Sequence, residues 1–96
     1  AHMKPGALLI NTARGAIIDE AAVAQALHAG KLGGYAADVF ETEPDLSGSP
    51  LCRAPRVICT PHIAWSSCEA RQRLIAAAAD NLSAWQKGSV QNQVNS

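Results

Sequence analysis

The sequence predicts an α/β domain built on a parallel sheet, and three observations carry that prediction. Three short apolar runs, at 7–12, 35–40 and 57–60, have the continuous character of strands buried on both faces. Helical spacing separates the first run from the second and returns after the third. Each run ends in a short polar motif: Asn-Thr-Ala-Arg-Gly at 11–15, Asp-Val-Phe-Glu-Thr-Glu-Pro at 38–44, and Thr-Pro-His at 60–62.

The first strand, Ala7–Thr12, is headed by Pro5-Gly6, a chain-turning pair. Asp19 has the chemistry of an N-cap, and Glu20 places negative charge in the first helical turn. Val23, Ala26 and Leu27 repeat at helical spacing before Gly30 supplies a stop. Gly33 and Gly34 then stand between this helix and a second strand, Tyr35–Phe40. The segment 7–40 is therefore a βαβ unit, whose crossover is right-handed as a rule. Residues 41–56 carry Pro44, Pro50 and Pro55 with Ser47, Gly48 and Ser49, which reads as a long loop with one helical turn near Leu51. Loops of this length in small domains usually serve a function. Val57–Thr60 forms a third strand ended by Pro61. Ser66 and Glu69 make a capping-box pattern opening a helix that runs to Lys87, before Gly88. Its face includes Ile75, Ala78, Leu82 and Trp85, widened by Leu74 and Ala77, and at its rise per residue it is about 30 Å long. The tail from Ser89 to Ser96 is polar, an edge strand or a disordered end.

Composition bounds the function. Ninety-six residues, 48% of them apolar, support one small domain with a modest core. With two Trp, one Tyr and one Phe, that core must be made of Leu, Ile, Val and Ala layers. A net charge of zero with no basic run argues against nucleic acid as a partner. No apolar stretch reaches the roughly 18 residues that span a bilayer, so a membrane is not expected. Cys52, Cys59 and Cys68 have neither zinc nor redox spacing and read as reduced thiols of a cytoplasmic protein. The histidines lack ligand spacing, so no metal site is expected and a metal-dependent hydrolase has almost no support.

The motifs converge by topology. Ligands of open parallel sheets bind beyond the carboxyl ends of the strands. If the third strand is parallel, Arg14, Asp38, Glu43 and His62 share one rim. Singly each has a plainer reading, as a surface arginine, loop carboxylates or a structural histidine, although a buried unpaired Asp38 would be costly. Together a guanidinium, carboxylates and an imidazole can hold an acid substrate and move a proton.

These motifs resemble the D-isomer-specific 2-hydroxyacid dehydrogenases. Asn11 to Gly15, the Ile18-Asp19-Glu20 helix start, Asp38-Val39-Phe40 with Glu43-Pro44, and Thr60 to Ile63 carry the likeness, in order and spacing, over essentially residues 3–95. The stretch His62 to Trp65, with Glu69 to Arg73 after it, is most similar to the glycerate dehydrogenase (hydroxypyruvate reductase) branch. The resemblance implies a fold: a partial Rossmann domain, β-α-β-(loop)-β-α, with a parallel three-stranded sheet and a long C-terminal helix. It also implies roles. Arg14 would grip the carboxylate and keto oxygen of a small 2-keto or 2-hydroxy acid, a task suited to the guanidinium fork. His62 would be the acid/base, and Glu43 would hold its ring and favour the protonated form. Asp38 would accept from the nicotinamide carboxamide. Thr12, Ala13 and Arg14 on one side, and His62, Ile63, Ala64 and Trp65 on the other, would line the pocket of NAD or NADP, with NAD favoured.

The chain departs from this pattern in length. It lacks Gly-x-Gly-x-x-Gly after a strand and the residue that reads the ribose 2′ position. Residues 4–88 thus read as the C-terminal half of a Rossmann domain, 89–96 as a tail returning toward an absent substrate domain, and 1–3 as a possible vector-derived scar. Such a piece is expected to be inactive alone and to form a homo-oligomer, a dimer or one that exchanges segments. The alternative is a non-catalytic, corepressor-like interaction module of the same fold.

Overall fold

The computed structural model describes residues 2–95, which divide into two units, one ending at Ala64 and one beginning at Trp65. In the first unit the chain runs through β1 (Ala7–Asn11), α1 (Glu20–His28), β2 (Leu32–Ala37) and β3 (Val57–Cys59). Short 3-10 turns lie at Gly15–Ile17 and Pro50–Arg53, the second where a helical turn near Leu51 is expected. The strands form one parallel sheet in the order β1-β2-β3. Both the βαβ unit and the parallel third strand follow the sequence reading.

Local chemistry explains the elements. The Asp19 side chain accepts from the Ala22 N–H at 2.9 Å and so starts α1. Gly30, at φ 69°, takes the left-handed conformation that ends it. Ala24 and Leu27 of α1 pack with Leu32, Tyr35 and Ala37 of β2, and Phe40 and Leu51 close the same core. The Arg56 guanidinium ties these layers, donating to the carbonyls of Gly33 (2.9 Å), Leu27 (2.7 Å) and Leu32 (3.3 Å).

Three expectations need correction here. β1 is not buried on both faces: Leu8 and Ile10 are 70% and 67% exposed, as is Ile58 of β3 at 68%, so one sheet face has no cover from within the first unit. The second strand begins at Leu32, three residues before the expected Tyr35, and ends at Ala37. Gly33 and Gly34 belong to it, because at Gly33 a side chain would strike the Gly6 backbone and only glycine lets the two segments meet. Its end comes early because the chain turns at Asp38 toward Glu43, although the Asp38 N–H still donates to the Asn11 carbonyl at 3.1 Å.

The second unit is a single helix, α2 (Cys68–Gln86), with coil after it and no strand among the described residues of the tail. Its N-cap is Ser67, one residue after the expected Ser66, and the Ser67 hydroxyl accepts from the Ala70 N–H at 3.1 Å. No α2 residue is buried, and Leu74, Ile75, Leu82 and Trp85 are more than half exposed. The helix is not long and apolar enough to cross a membrane.

Candidate functional site

The carboxyl ends of the three strands deliver the polar motifs to one rim, as parallel topology requires. After β1, the Asn11 side chain folds the loop. Its Oδ1 accepts from the Ala13 N–H at 3.1 Å, and its Nδ2 donates to the Arg14 carbonyl at 2.9 Å. Arg14 is exposed and donates from one guanidinium nitrogen to the Ala13 carbonyl at 2.7 Å. Gly15 brings this loop flush against the backbone of Phe40 and Glu41, where a Cβ would strike main-chain atoms.

After β2, the Phe40 N–H donates to Glu43 Oε1 at 2.7 Å, which folds the carboxylate back over its own turn. Glu43 Oε2 lies 2.6 Å from His62 Nδ1, on the loop after β3. The Glu43 carboxyl is held below the usual glutamate range, first by the imidazole and then by the Phe40 N–H. A glutamate that is ionised accepts from the ring N–H, which fixes which ring nitrogen faces it. The His62 side chain is 39% exposed and that of Glu43 29%.

Asp38 braces the histidine turn. Its Oδ1 accepts from the Thr60 hydroxyl at 2.6 Å and the Ile63 N–H at 2.9 Å, and its Oδ2 from the Ala64 N–H at 3.0 Å. The Thr60 hydroxyl is the main cause that holds the Asp38 carboxyl below the usual aspartate range, with the Ala64 N–H next. This donor set answers the discomfort of a buried aspartate in an apolar run: at 5% exposure, each of its oxygens has a donor. The clamp also supports an unusual backbone, since His62 sits at φ 56° in the left-handed region. That conformation costs a non-glycine residue of order 1–3 kcal/mol and persists only where surroundings enforce it. Here they do, because the carboxylate grips the two N–H groups that follow.

A cleft of about 420 Å³ opens on this rim, lined by Ile10, Thr12, Asp38, Thr60, Ile63 and Ala64, among others. It lies within the size range of small-molecule and cofactor sites. Of Arg14, Asp38, Glu43 and His62, only Asp38 lines this cleft, and grooves of about 540, 580 and 600 Å³ elsewhere hold none of the four. Of the expected residues, the structure joins Glu43 to His62 and Asp38 to Ile63 and Ala64, with Thr12 on the same cleft. Ala13 and Arg14 stand on the neighbouring loop. Trp65 belongs to the second unit, where the Arg71 guanidinium lies 5.2 Å from its ring centre. No cluster of three metal-binding side chains occurs among the described residues.

Sequence reasoning missed Thr60, Asn11 and Glu20 as working parts. Thr60 and Asn11 had a signal, each being polar at a strand end beside a residue already singled out. Glu20 had none beyond its place in a helix's first turn, yet it is 6% exposed and accepts from Ser49 and Glu41 across the core.

A parallel sheet with a covering crossover helix, and polar loops gathered at its carboxyl strand ends, defines the Rossmann-like class of α/β proteins. The chain belongs to the D-isomer specific 2-hydroxyacid dehydrogenase family: the model of that family's NAD binding domain matches residues 1–64. The chain is 50% identical over 94 residues to a glycerate dehydrogenase of Methylorubrum extorquens, covering 96% of this chain and 30% of that one. It is 42% identical over 95 residues to a hydroxypyruvate reductase of Blautia hydrogenotrophica, covering 99% and 30%. Among solved structures, a D-isomer specific 2-hydroxyacid dehydrogenase from Xanthobacter autotrophicus Py2, in complex with NADPH and MES, matches with a TM-score of 0.73 at 38% identity. That match covers 98% of this chain and 38% of the other. The chain thus spans about 30% of the length of the curated relatives it matches. Their names are those of dehydrogenases and reductases, which gives a corepressor-like module no support.

Proposed function

We propose that this chain is the nicotinamide-side segment of an oxidoreductase that interconverts a small 2-keto acid and its D-2-hydroxy acid. The hydroxypyruvate/glyoxylate type is favoured by the names of its relatives. The single observation that carries the reading is the 2.6 Å contact of Glu43 with His62 Nδ1 beyond the carboxyl ends of the strands. NAD or NADP is the carrier, with NAD favoured by the family's description. The lining is compatible with a nicotinamide: Asp38 Oδ2 takes one N–H from its own chain and keeps acceptor capacity for a carboxamide, with Thr12, Ile63 and Ala64 in the same cleft and Ala13 on the adjoining loop. Trp65 follows directly in sequence, and we include it in the cofactor-binding set. The bound cofactor would supply or accept the hydride.

The chain's own residues do the rest. Arg14 binds the substrate carboxylate and orients the keto group, a task suited to its planar fork. Glu43 fixes the imidazole, and His62 gives the Nε2 proton to the carbonyl oxygen as the carbonyl carbon is reduced. In the reverse direction the imidazole takes the hydroxyl proton. The three free cysteines suit a cytoplasmic setting, and the open sheet face suits a homodimer.

The test is made on the full-length protein that carries this segment, following oxidation of NADH or NADPH with hydroxypyruvate and glyoxylate. His62→Asn is expected to lower kcat by roughly 10²–10⁴-fold, the usual worth of a positioned acid/base. Arg14→Met is expected to raise KM, and the 96-residue chain alone to be inactive. Turnover of His62→Asn within tenfold of the unmodified protein overturns the reading.

A further inference from the structure

The mechanism needs Glu43 to reach His62, and what holds Glu43 in place lies in another part of the chain. Glu20, in the first turn of α1, is buried at 6% exposure, and Ser49 is buried at 3%. Glu20 Oε1 accepts from the Glu41 N–H at 2.9 Å, and Glu20 Oε2 accepts from the Ser49 hydroxyl at 2.5 Å. Ser49 Oγ in turn accepts from the Leu51 N–H at 3.2 Å, which ties the far end of the same loop. One carboxyl group thus grips the loop of Glu43 on both sides, over sequence separations of 21 and 29 residues.

A favourable charge at a helix start needs only an exposed carboxylate in the first turn. A buried one is costly unless donors satisfy it, and here the donors are the loop's own amide and hydroxyl. The Glu41 amide is two residues from Glu43, whose Oε1 is already fixed by Phe40. Hydrogen bonds are effectively lost beyond roughly 3.5 Å, so a turn released by about 1 Å would part Glu43 from the imidazole.

We propose that Glu20, with Ser49 as its second anchor, is a positioning residue for the Glu43–His62 pair. The significance for turnover rests on the dehydrogenase reading above; the placement of Glu43 does not. The test therefore reads Glu43 directly, by carbon-13 NMR titration of its side-chain carboxyl in the 96-residue chain. Glu20→Ala is expected to move the Glu43 midpoint up toward the ordinary glutamate range as the imidazole contact is lost. Glu20→Gln, whose amide oxygen still accepts from the Glu41 N–H, is expected to restore it. Ser49→Ala is expected to move it up by a smaller step. A role confined to stability would lower the melting temperature and leave the midpoint of the folded chain in place. An unmoved midpoint in folded Glu20→Ala, or a Gln variant that behaves like Ala, overturns the proposal. Should Glu20→Ala not fold, an unmoved midpoint in Ser49→Ala overturns it. In the full-length protein, Glu20→Ala is expected to lower kcat more than it raises KM. Loss of the acid/base reading through His62→Asn would leave the titration result standing, so the two failures are distinct.

Discussion

Replacing Gly15 by alanine tests how the loop after β1 is fitted against the turn that carries Glu43. A Cβ on Gly15 would fall on the Phe40 carbonyl and the Glu41 nitrogen, well inside the 3.0 Å that real Cβ atoms respect. Main chain lies on both sides, so no side-chain rotation relieves the overlap. Restoring ordinary van der Waals contact, which begins at 3.4 Å, requires the two segments to part by roughly 1 Å or more. Overpacking costs about 1–3 kcal/mol, and loosening the Glu41 to Glu20 bond adds about 1 kcal/mol, so the expected loss is about 2–4 kcal/mol. That is a large part of the 5–15 kcal/mol by which domains are typically stable. Gly48→Ala is the control: its Cβ meets nothing within 4 Å, and no left-handed backbone is required there. It is expected to be neutral or to stabilise by about 0.4–1 kcal/mol. The assay is amide hydrogen exchange at Tyr35–Ala37 of β2, which reports opening of the first unit alone. A loss of 2–4 kcal/mol reads as roughly a 30- to 1000-fold fall in protection. If the two variants differ by less than about 0.5 kcal/mol, Gly15 is not needed for close approach and the geometry of the rim is wrong.

Two other outcomes follow from the structure. The Asp38 and Glu43 carboxyls titrate below their ordinary values of 3.8 and 4.5, so each stabilises the fold fully above its unfolded value and ceases to as pH falls through its lower folded value. Thermal unfolding between about pH 6 and about pH 2 is expected to show an acid limb below these values that Asp38→Asn flattens, and an unchanged limb in that variant counts against the clamp. The open apolar face of Leu8, Ile10 and Ile58, with β1 and β3 as sheet edges, is expected to drive self-association. Light scattering at micromolar concentration should return about twice the 10.0 kDa chain mass, and a clean monomer would refute it.

What was legible in the sequence was what adjacent residues decide. Asp19 as a cap and Gly30 as a stop depend on contacts within a few positions, and both are where the pattern put them. The convergence of Glu43 and His62 was also legible, although they are 19 residues apart, because parallel topology sends every strand end to one rim. Boundaries failed where packing overrode pattern. The paired glycines read as a connection became the opening of β2, because that strand needs a smooth surface against Gly6. The apolar run of β1 read as doubly buried, yet an apolar run records only what a strand tolerates, and here its outer face has no cover in the first unit.

Side chains whose partners are neither local nor set by topology were not legible, and they share a physical feature. Glu20 and Ser49 take up amides of the loop, those of Glu41 and Leu51, with Glu20 reaching Ser49 over 29 residues, and Arg56 donates to the carbonyls of Leu27 in α1 and of Leu32 and Gly33 in β2. Such groups must find partners when they are withdrawn from water, but nothing in a sequence says which long polar side chain will reach them. The meeting of Glu43 and His62 was therefore readable from residue type and strand order, whereas the braces that hold them in register required coordinates. The two classes also answer differently to substitution. Under the proposed function a group on the rim is replaced at the expense of the reaction, and a brace at the expense of a distance, which is why the titration of Glu43 tests the role proposed for Glu20 apart from that of the carboxylate itself.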